Sequence, residues 1–212
     1  TMSKSIGLSI IELSNVLEKQ KPDMVIAIAD RYENLSVAIA ASYMNIPLAH
    51  VQGGETTGSI DEKVRHAITK LSDAHFVSTK RSKKFVINMG EMKPSVYHTG
   101  CPSIDLALLK DYSLEKNFFK KHGTGANFLS SEKYILVLQH PVTTEYKNAN
   151  FQIDQTIEAV EKFHSKTKYK VIWLWPNIDA GSDIFSKKIR FLKEKKTNYI
   201  RFVKNFTPEN YV

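Results

Sequence analysis

Residues 24–51 read Met24-Val25-Ile26-Ala27-Ile28-Ala29-Asp30-Arg31-Tyr32-Glu33-Asn34-Leu35-Ser36-Val37-Ala38-Ile39-Ala40-Ala41-Ser42-Tyr43-Met44-Asn45-Ile46-Pro47-Leu48-Ala49-His50-Val51. The run Met24–Ile28 is apolar throughout and is bounded by polar residues, which predicts a buried strand. Pro22 stops the pattern before it, in which Ile6, Ile10, Leu13 and Leu17 recur at helical spacing. Leu35–Met44 is alanine-rich and reads as a second helix, ended by Asn45 and Pro47. Leu48–Val51 is the next strand. Strand, helix and strand in so short a stretch is a βαβ unit, and it calls for a parallel sheet with helices on its faces.

Downstream the rhythm continues. A glycine-bearing loop, Gly53–Gly58, leads to a helix from about Asp61 to Leu71, a strand at His75–Val77, a helix at Lys80–Met89 and a strand at Val96–His98. Residues 100–131 break the pattern with a turn at Gly100-Cys101-Pro102 and two short helical pieces. The polar stretch Gly123-Thr124-Gly125 is the expected boundary. A second βαβ series follows: strand Tyr134–Leu138, helix Ile153–His164, strand Lys170–Trp175, helix Asp183–Lys195 and strand Tyr199–Phe202. The expectation is an α/β chain of two units, with most of the first in residues 1–112, a linker at 113–131, and the first part of the second in 132–212.

Composition narrows the function classes. The 212 residues are 42% hydrophobic and 25% charged, which suits a globular chain. No run of eighteen apolar residues occurs, so no membrane-spanning helix is expected. The start, Thr-Met-Ser-Lys, has no apolar signal core, and the cytoplasm is the expected compartment. Cys101 is the one cysteine, which excludes an internal disulfide and a cysteine zinc cluster. No histidine pair has metal-ligand spacing, so neither a metal nor a cofactor is expected.

The formal charge of +8 is uneven: residues 1–112 carry 13 basic and 12 acidic side chains, residues 113–212 carry 17 and 10. The excess is mostly lysine, Lys187, Lys188, Lys193, Lys195 and Lys196 among them, interleaved with Ile189 and Leu192 at helical spacing. That pattern predicts a solvated helix face rather than a nucleic-acid surface.

Ligands of open parallel sheets bind beyond the carboxyl ends of the strands. Those ends carry Asp30-Arg31-Tyr32-Glu33, Gln52-Gly53-Gly54-Glu55, Gly100-Cys101-Pro102, Gln139-His140-Pro141 and Pro176-Asn177-Ile178-Asp179-Ala180-Gly181-Ser182. Each residue has a structural alternative. Asp30 and Asp61 are good helix N-caps or first-turn residues. Arg31 can pair with a surface carboxylate, Glu62 can meet His66 one turn on, and His140 can be a satisfied buried histidine. Glu55, in a glycine-rich loop, is the hardest of them to explain structurally.

The segment from His50 to Leu71, His50-Val51-Gln52-Gly53-Gly54-Glu55-Thr56-Thr57-Gly58-Ser59-Ile60-Asp61-Glu62-Lys63-Val64-Arg65-His66-Ala67-Ile68-Thr69-Lys70-Leu71, resembles the signature of the hydrolysing UDP-N-acetylglucosamine 2-epimerases of sialic-acid and nonulosonate pathways. Asp30–Glu33, Gly100–Asp105, Leu138–Thr144 and Pro176–Ser182 match in the same order. The resemblance implies two Rossmann-like parallel-sheet domains of glycosyltransferase B type, both incomplete here, and a UDP-sugar substrate. It implies anti elimination of UDP to a 2-acetamidoglucal, then syn hydration to N-acetylmannosamine, and a homo-oligomer.

Carried over by that resemblance, Asp30 and Asp61 match the acid/base carboxylates. His140 matches the histidine near sugar and diphosphate, and Asn177 and Ser182 match the loop that holds the nucleotide. Arg31, Glu55, Glu62 and His66 lie inside the motifs as binding or supporting groups. At Gln52, directly before the glycine pair, well-studied members carry a glutamate. An amide orients water but takes no proton at neutral pH, so either Asp30 and Asp61 cover the base role, with Glu55 or Glu62 as deputies, or the substrate or rate differs. A nucleotide-contacting arginine of the first strand and a later diphosphate loop are absent, so these 212 residues alone are expected to be inactive.

Overall fold

The computed structural model describes residues 2–109, 113–177 and 181–211. The chain forms two compact units, Thr1–Leu108 and Leu109–Val212. In the first, helix α1 (Met2–Gln20) precedes β1 (Val25–Ile28), α2 (Tyr32–Tyr43), β2 (Leu48–Val51), α3 (Ile60–Leu71), β3 (Ala74–Val77), α4 (Lys80–Asn88), β4 (Val96–His98) and α5 (Pro102–Leu109). The sheet runs β1-β2-β3-β4, parallel throughout, with Ala27 opposite His50 and His50 opposite His75. Alanines at 27, 38 and 41 let α2 lie close to the sheet, and Leu48, Val64 and Ile68 complete that core. Helix α2 begins at Tyr32, three residues before the sequence places it, because the chain turns straight into the helix after Asp30-Arg31.

The ladder outlives the strands by one residue at their carboxyl ends. Ala29 N–H donates to Val51 O at 2.9 Å and Gln52 N–H to Phe76 O at 2.8 Å. Both residues then turn left-handed, at φ +60° and +66°. Side chains dislike this region, at a cost of about 1–3 kcal/mol each, so two neighbouring strand ends carry local strain.

The second unit contains α6 (Phe118–Lys121), β5 (Thr124–Gly125), β6 (Tyr134–Val137), α7 (Ala149–Thr167), β7 (Lys170–Leu174), α8 (Ser182–Glu194), β8 (Ile200–Val203) and α9 (Pro208–Tyr211). Its sheet runs β5-β8-β7-β6, with β6, β7 and β8 parallel and β5 antiparallel to β8. Strand β7 is buried on both faces: Val171 and Trp173 enter one core with Ile153, Phe185, Ile189 and Leu192, and Ile172 and Leu174 enter another. That is why it reads as an unbroken apolar run. The lysines of α8 lie beside those buried residues, with Lys187 and Lys193 exposed and Lys188 paired to Asp154 at 2.8 Å.

Residues 113–131, expected as a linker, are built into the second unit. Phe118, Phe119, Ala126 and Phe128 are buried with Ile172, Leu174 and Val203. Thr124-Gly125 is a strand. Arg201 of β8, 5% exposed, explains why so polar a stretch folds there. Its guanidinium donates to the carbonyls of Lys120, His122, Gly123, Gly125 and Ala126 and to Asn127 Oδ1. Among the described residues, no helix is long and apolar enough to cross a membrane.

Candidate functional site

Asp30 follows the strained Ala29 at the end of β1, and its Oδ2 meets Arg65 Nη2 in an ion pair. Arg65 is 3% exposed although it sits on α3, and its other terminal nitrogen donates to Glu55 O at 2.5 Å. Asp61, Arg65 and Thr69 recur every fourth residue and so share one stripe of that helix. Asp61 accepts from Ser59 Oγ at 3.4 Å in the first turn. Sequence reasoning missed Arg65. Its signal was the i+4 spacing from Asp61 on a face that otherwise carries Val64 and Ile68.

The glycine pair has a packing cause. A Cβ on Gly54, at φ +81°, would lie 2.6 Å from Ser82 O and 2.7 Å from Val86 Cγ2, so the loop passes α4 where no side chain fits. Glu55 enters the site by its main-chain carbonyl. Glu62 Oε2 accepts from the N–H groups of Thr57 and Gly58 at 2.5 and 2.6 Å, and these bonds, Gly58 first, hold its pKa below the usual carboxylate value. Its observed role is to fasten the loop.

Gln52 Nε2 donates to Cys101 Sγ at 3.4 Å. That sulfur also accepts from the N–H groups of Ile104 and Ser103 at the start of α5, which draw the thiol pKa down. Arg31 folds back on its neighbours, 3.3 Å from Glu33 and over the Tyr32 ring. His66 stacks on Phe85 at 5.0 Å, with Nε2 3.8 Å from Glu62. Neither of its buried ring nitrogens has a hydrogen-bond partner among the described residues.

In the second unit a cavity of about 280 Å³ opens at the carboxyl ends of β6, β7 and β8. His140, Trp175, Asn177, Lys204, Phe206 and Tyr211 are among its lining residues. Asn177 N–H donates to His140 Nδ1 at 3.1 Å, so Nδ1 offers a lone pair and Nε2 carries the ring proton, a donor suited to a phosphate oxygen. Ser182 opens α8, is buried, and does not line the cavity. Ile178, Asp179 and Ala180 of the matched loop lie outside the described residues. Lys204, Phe206 and Tyr211 escaped the sequence reading because the strand-end argument stopped at Phe202.

The first unit thus offers a carboxylate paired to a buried guanidinium at its strand ends, and the second a histidine beside a cavity at its own. The chain belongs to the UDP-N-acetylglucosamine 2-epimerase family, whose sequence model matches residues 1–212. It is 36% identical over 190 residues to the UDP-N,N'-diacetylbacillosamine 2-epimerase (hydrolyzing) of Legionella pneumophila, covering 90% of this chain and 48% of that protein. It is 38% identical over 198 residues to polysialic acid biosynthesis protein P7 of Escherichia coli, covering 92% and 49%. The chain thus spans about half the length of the curated relatives it matches. Among solved structures, the UDP-GlcNAc 2-epimerase of Methanocaldococcus jannaschii in complex with UDP-GlcNAc and UDP superposes with a TM-score of 0.77 at 19% identity, over 100% of this chain and 57% of that one. The fold is of the glycosyltransferase B type expected from the sequence.

Proposed function

We propose that the full-length protein is a hydrolysing 2-epimerase of a UDP-2-acetamido sugar, releasing UDP and the free 2-epimer. The Asp30–Arg65 pair at the end of β1 is the observation that carries this reading, because a buried guanidinium fixes the carboxylate where a strand-end ligand would lie. Of Asp30 and Asp61, one carboxylate takes the C2 proton while the C1–O bond to the diphosphate breaks and its electron pair leaves with UDP. In the second unit, the Nε2–H of His140 is suited to hydrogen-bond a diphosphate oxygen. Water then adds to the resulting 2-acetamidoglucal, its hydroxyl to C1 and a proton to C2 with inverted configuration. Gln52 is suited to orient that water. One water is consumed per turnover, and the glucal must be shielded from bulk solvent until it is placed.

The substrate is UDP-N-acetylglucosamine or a UDP-diacetamido-trideoxy sugar. The Legionella relative's name supports the second, and the family description supports the first. Association into a homo-oligomer belongs to the same reading. The test incubates the full-length protein with each sugar nucleotide in D₂O and follows products by proton NMR. Free UDP with deuterium at C2 of the released sugar is expected. An intact UDP-sugar epimer would assign the non-hydrolysing reaction instead, and UDP binding without turnover of either substrate would overturn the proposal.

A further inference from the structure

His50 takes no part in the chemistry above, yet it touches both elements that build it. It lies within β2, 0% exposed. Its Nε2 is 2.8 Å from Ala29 O, which can only accept, so Nε2 carries the ring proton. Its Nδ1 is 3.0 Å from Thr69 Oγ1. Burial, the largest influence, pulls the ring's pKa from 6.5 to about 4, so at neutral pH Nδ1 is bare and accepts the Thr69 hydroxyl proton. The same hydroxyl lies 3.0 Å from Arg65 O, one turn back on α3.

The two contacts converge on one pair. Ala29, left-handed at φ +60°, is pegged on one side by its N–H on Val51 O and on the other by its carbonyl on His50. The next residue, Asp30, therefore leaves the sheet in a fixed direction. Thr69 stands one turn beyond Arg65 on α3, and Arg65 holds the Asp30 carboxylate. Gly53 leaves the room this needs: a Cβ there would sit 2.9 Å from Thr69 Oγ1 and 3.0 Å from His50 Nδ1.

We propose that His50 is the positioning residue of Asp30, bracing through Ala29 the backbone that carries the carboxylate and through Thr69 the helix that carries its cation. The inference rests on the catalytic reading of Asp30. The test compares His50→Gln, His50→Asn and His50→Phe in the full-length protein. A glutamine amide reaches the place of Nε2 and keeps the donor to Ala29 O, whereas asparagine replaces Nδ1 alone. Asn and Phe are expected to lower kcat by roughly 10–100-fold with the Kd of UDP nearly unchanged, since a small displacement of a catalytic group has that effect. Gln should recover most of the loss at equal melting temperature. The pH limbs of kcat should stay in place, because the ring carries no extra proton in the assay range.

A Gln variant no better than Asn, or a folded Phe variant with undiminished kcat, overturns the proposal. Should Phe fail to fold, Thr69→Val removes one contact without removing the ring. It is expected to lower kcat by about 3–10-fold, and an unchanged kcat there counts against the brace. Asp30→Asn, measured alongside, separates the two failures. Full activity in Asp30→Asn defeats the catalytic reading itself. Inactivity there with normal kcat in the His50 variants defeats the positioning role alone.

Discussion

Asp30 and Arg65, 35 residues apart in sequence, share an ion pair in which the cation is almost wholly buried and the carboxylate is 24% exposed. Arg65→Met strands that carboxylate beside an apolar side chain. It should cost about 2 kcal/mol of stability, discounted from a fully buried pair for the exposure of Asp30. Release of UDP should fall by roughly 10²-fold. Urea denaturation of Arg65→Met, Asp30→Asn and the double variant checks the pair, and strictly additive losses would show that the two groups do not couple.

Gly54→Ala places a methyl group against the Ser82 carbonyl and forces a left-handed backbone on alanine. A loss of about 2–4 kcal/mol is expected, since the obstacle is main chain and cannot swing aside. Thermal unfolding measures it. An alanine variant as stable as the parent would mean that the loop does not pass α4 as described.

Acid should weaken the first unit in a definite window. The folded His50 refuses a proton down to about pH 4, whereas in the unfolded chain it takes one near pH 6.5. Its contribution is therefore complete above pH 6.5 and is lost as pH falls toward 4, by about 1.4 kcal/mol per unit and about 3 kcal/mol in all. His75, whose pKa burial also lowers, acts in the same sense. Glu62 joins below its ordinary pKa of 4.5. Urea midpoints from pH 7 to 4.5 should fall steadily, and His50→Gln should flatten the slope by one proton. A parent whose midpoint holds steady from pH 6.5 to 5 would contradict the buried neutral ring.

Lys204 and Tyr211 line the cavity and are exposed, so their removal should spare the fold. If that cavity takes the nucleotide, Tyr211→Ala should weaken UDP binding by about 5–10-fold through lost contact with the base. Lys204→Ala should weaken it by about 3–10-fold at low salt and less at high salt, as expected of a screened charge. Calorimetric titration of UDP at two salt concentrations reads both. Unchanged affinity in the two variants would move the nucleotide elsewhere.

The parallel units were legible because β1 and β7 are short apolar runs between helices, although β1, expected to be buried, leaves Ile26 and Ile28 exposed and buries only Ala27 fully. The partner of Asp30 was not. Arginine on a helix reads as surface, and only the fold shows that the stripe Asp61-Arg65-Thr69 faces strand ends rather than water. Glu62 and Glu55 were legible as important and not as to role, since a carboxylate that fastens a loop and one that handles a proton look alike in sequence. The stretch 113–131 misled for a similar reason. Its glycines and polar residues suggest a linker, and what folds them is a single arginine some 80 residues away, which no local pattern reveals.

That arginine also sets a difference of temperament between the halves. The Arg201 oxygens are all neutral, so acid cannot discharge them and salt has no opposite charge there to screen. The first unit, by contrast, stakes part of its cohesion on two buried histidines and a carboxylate. On gentle acidification the two should part company, the first loosening while the second stays shut. The melt would then split from one transition into two.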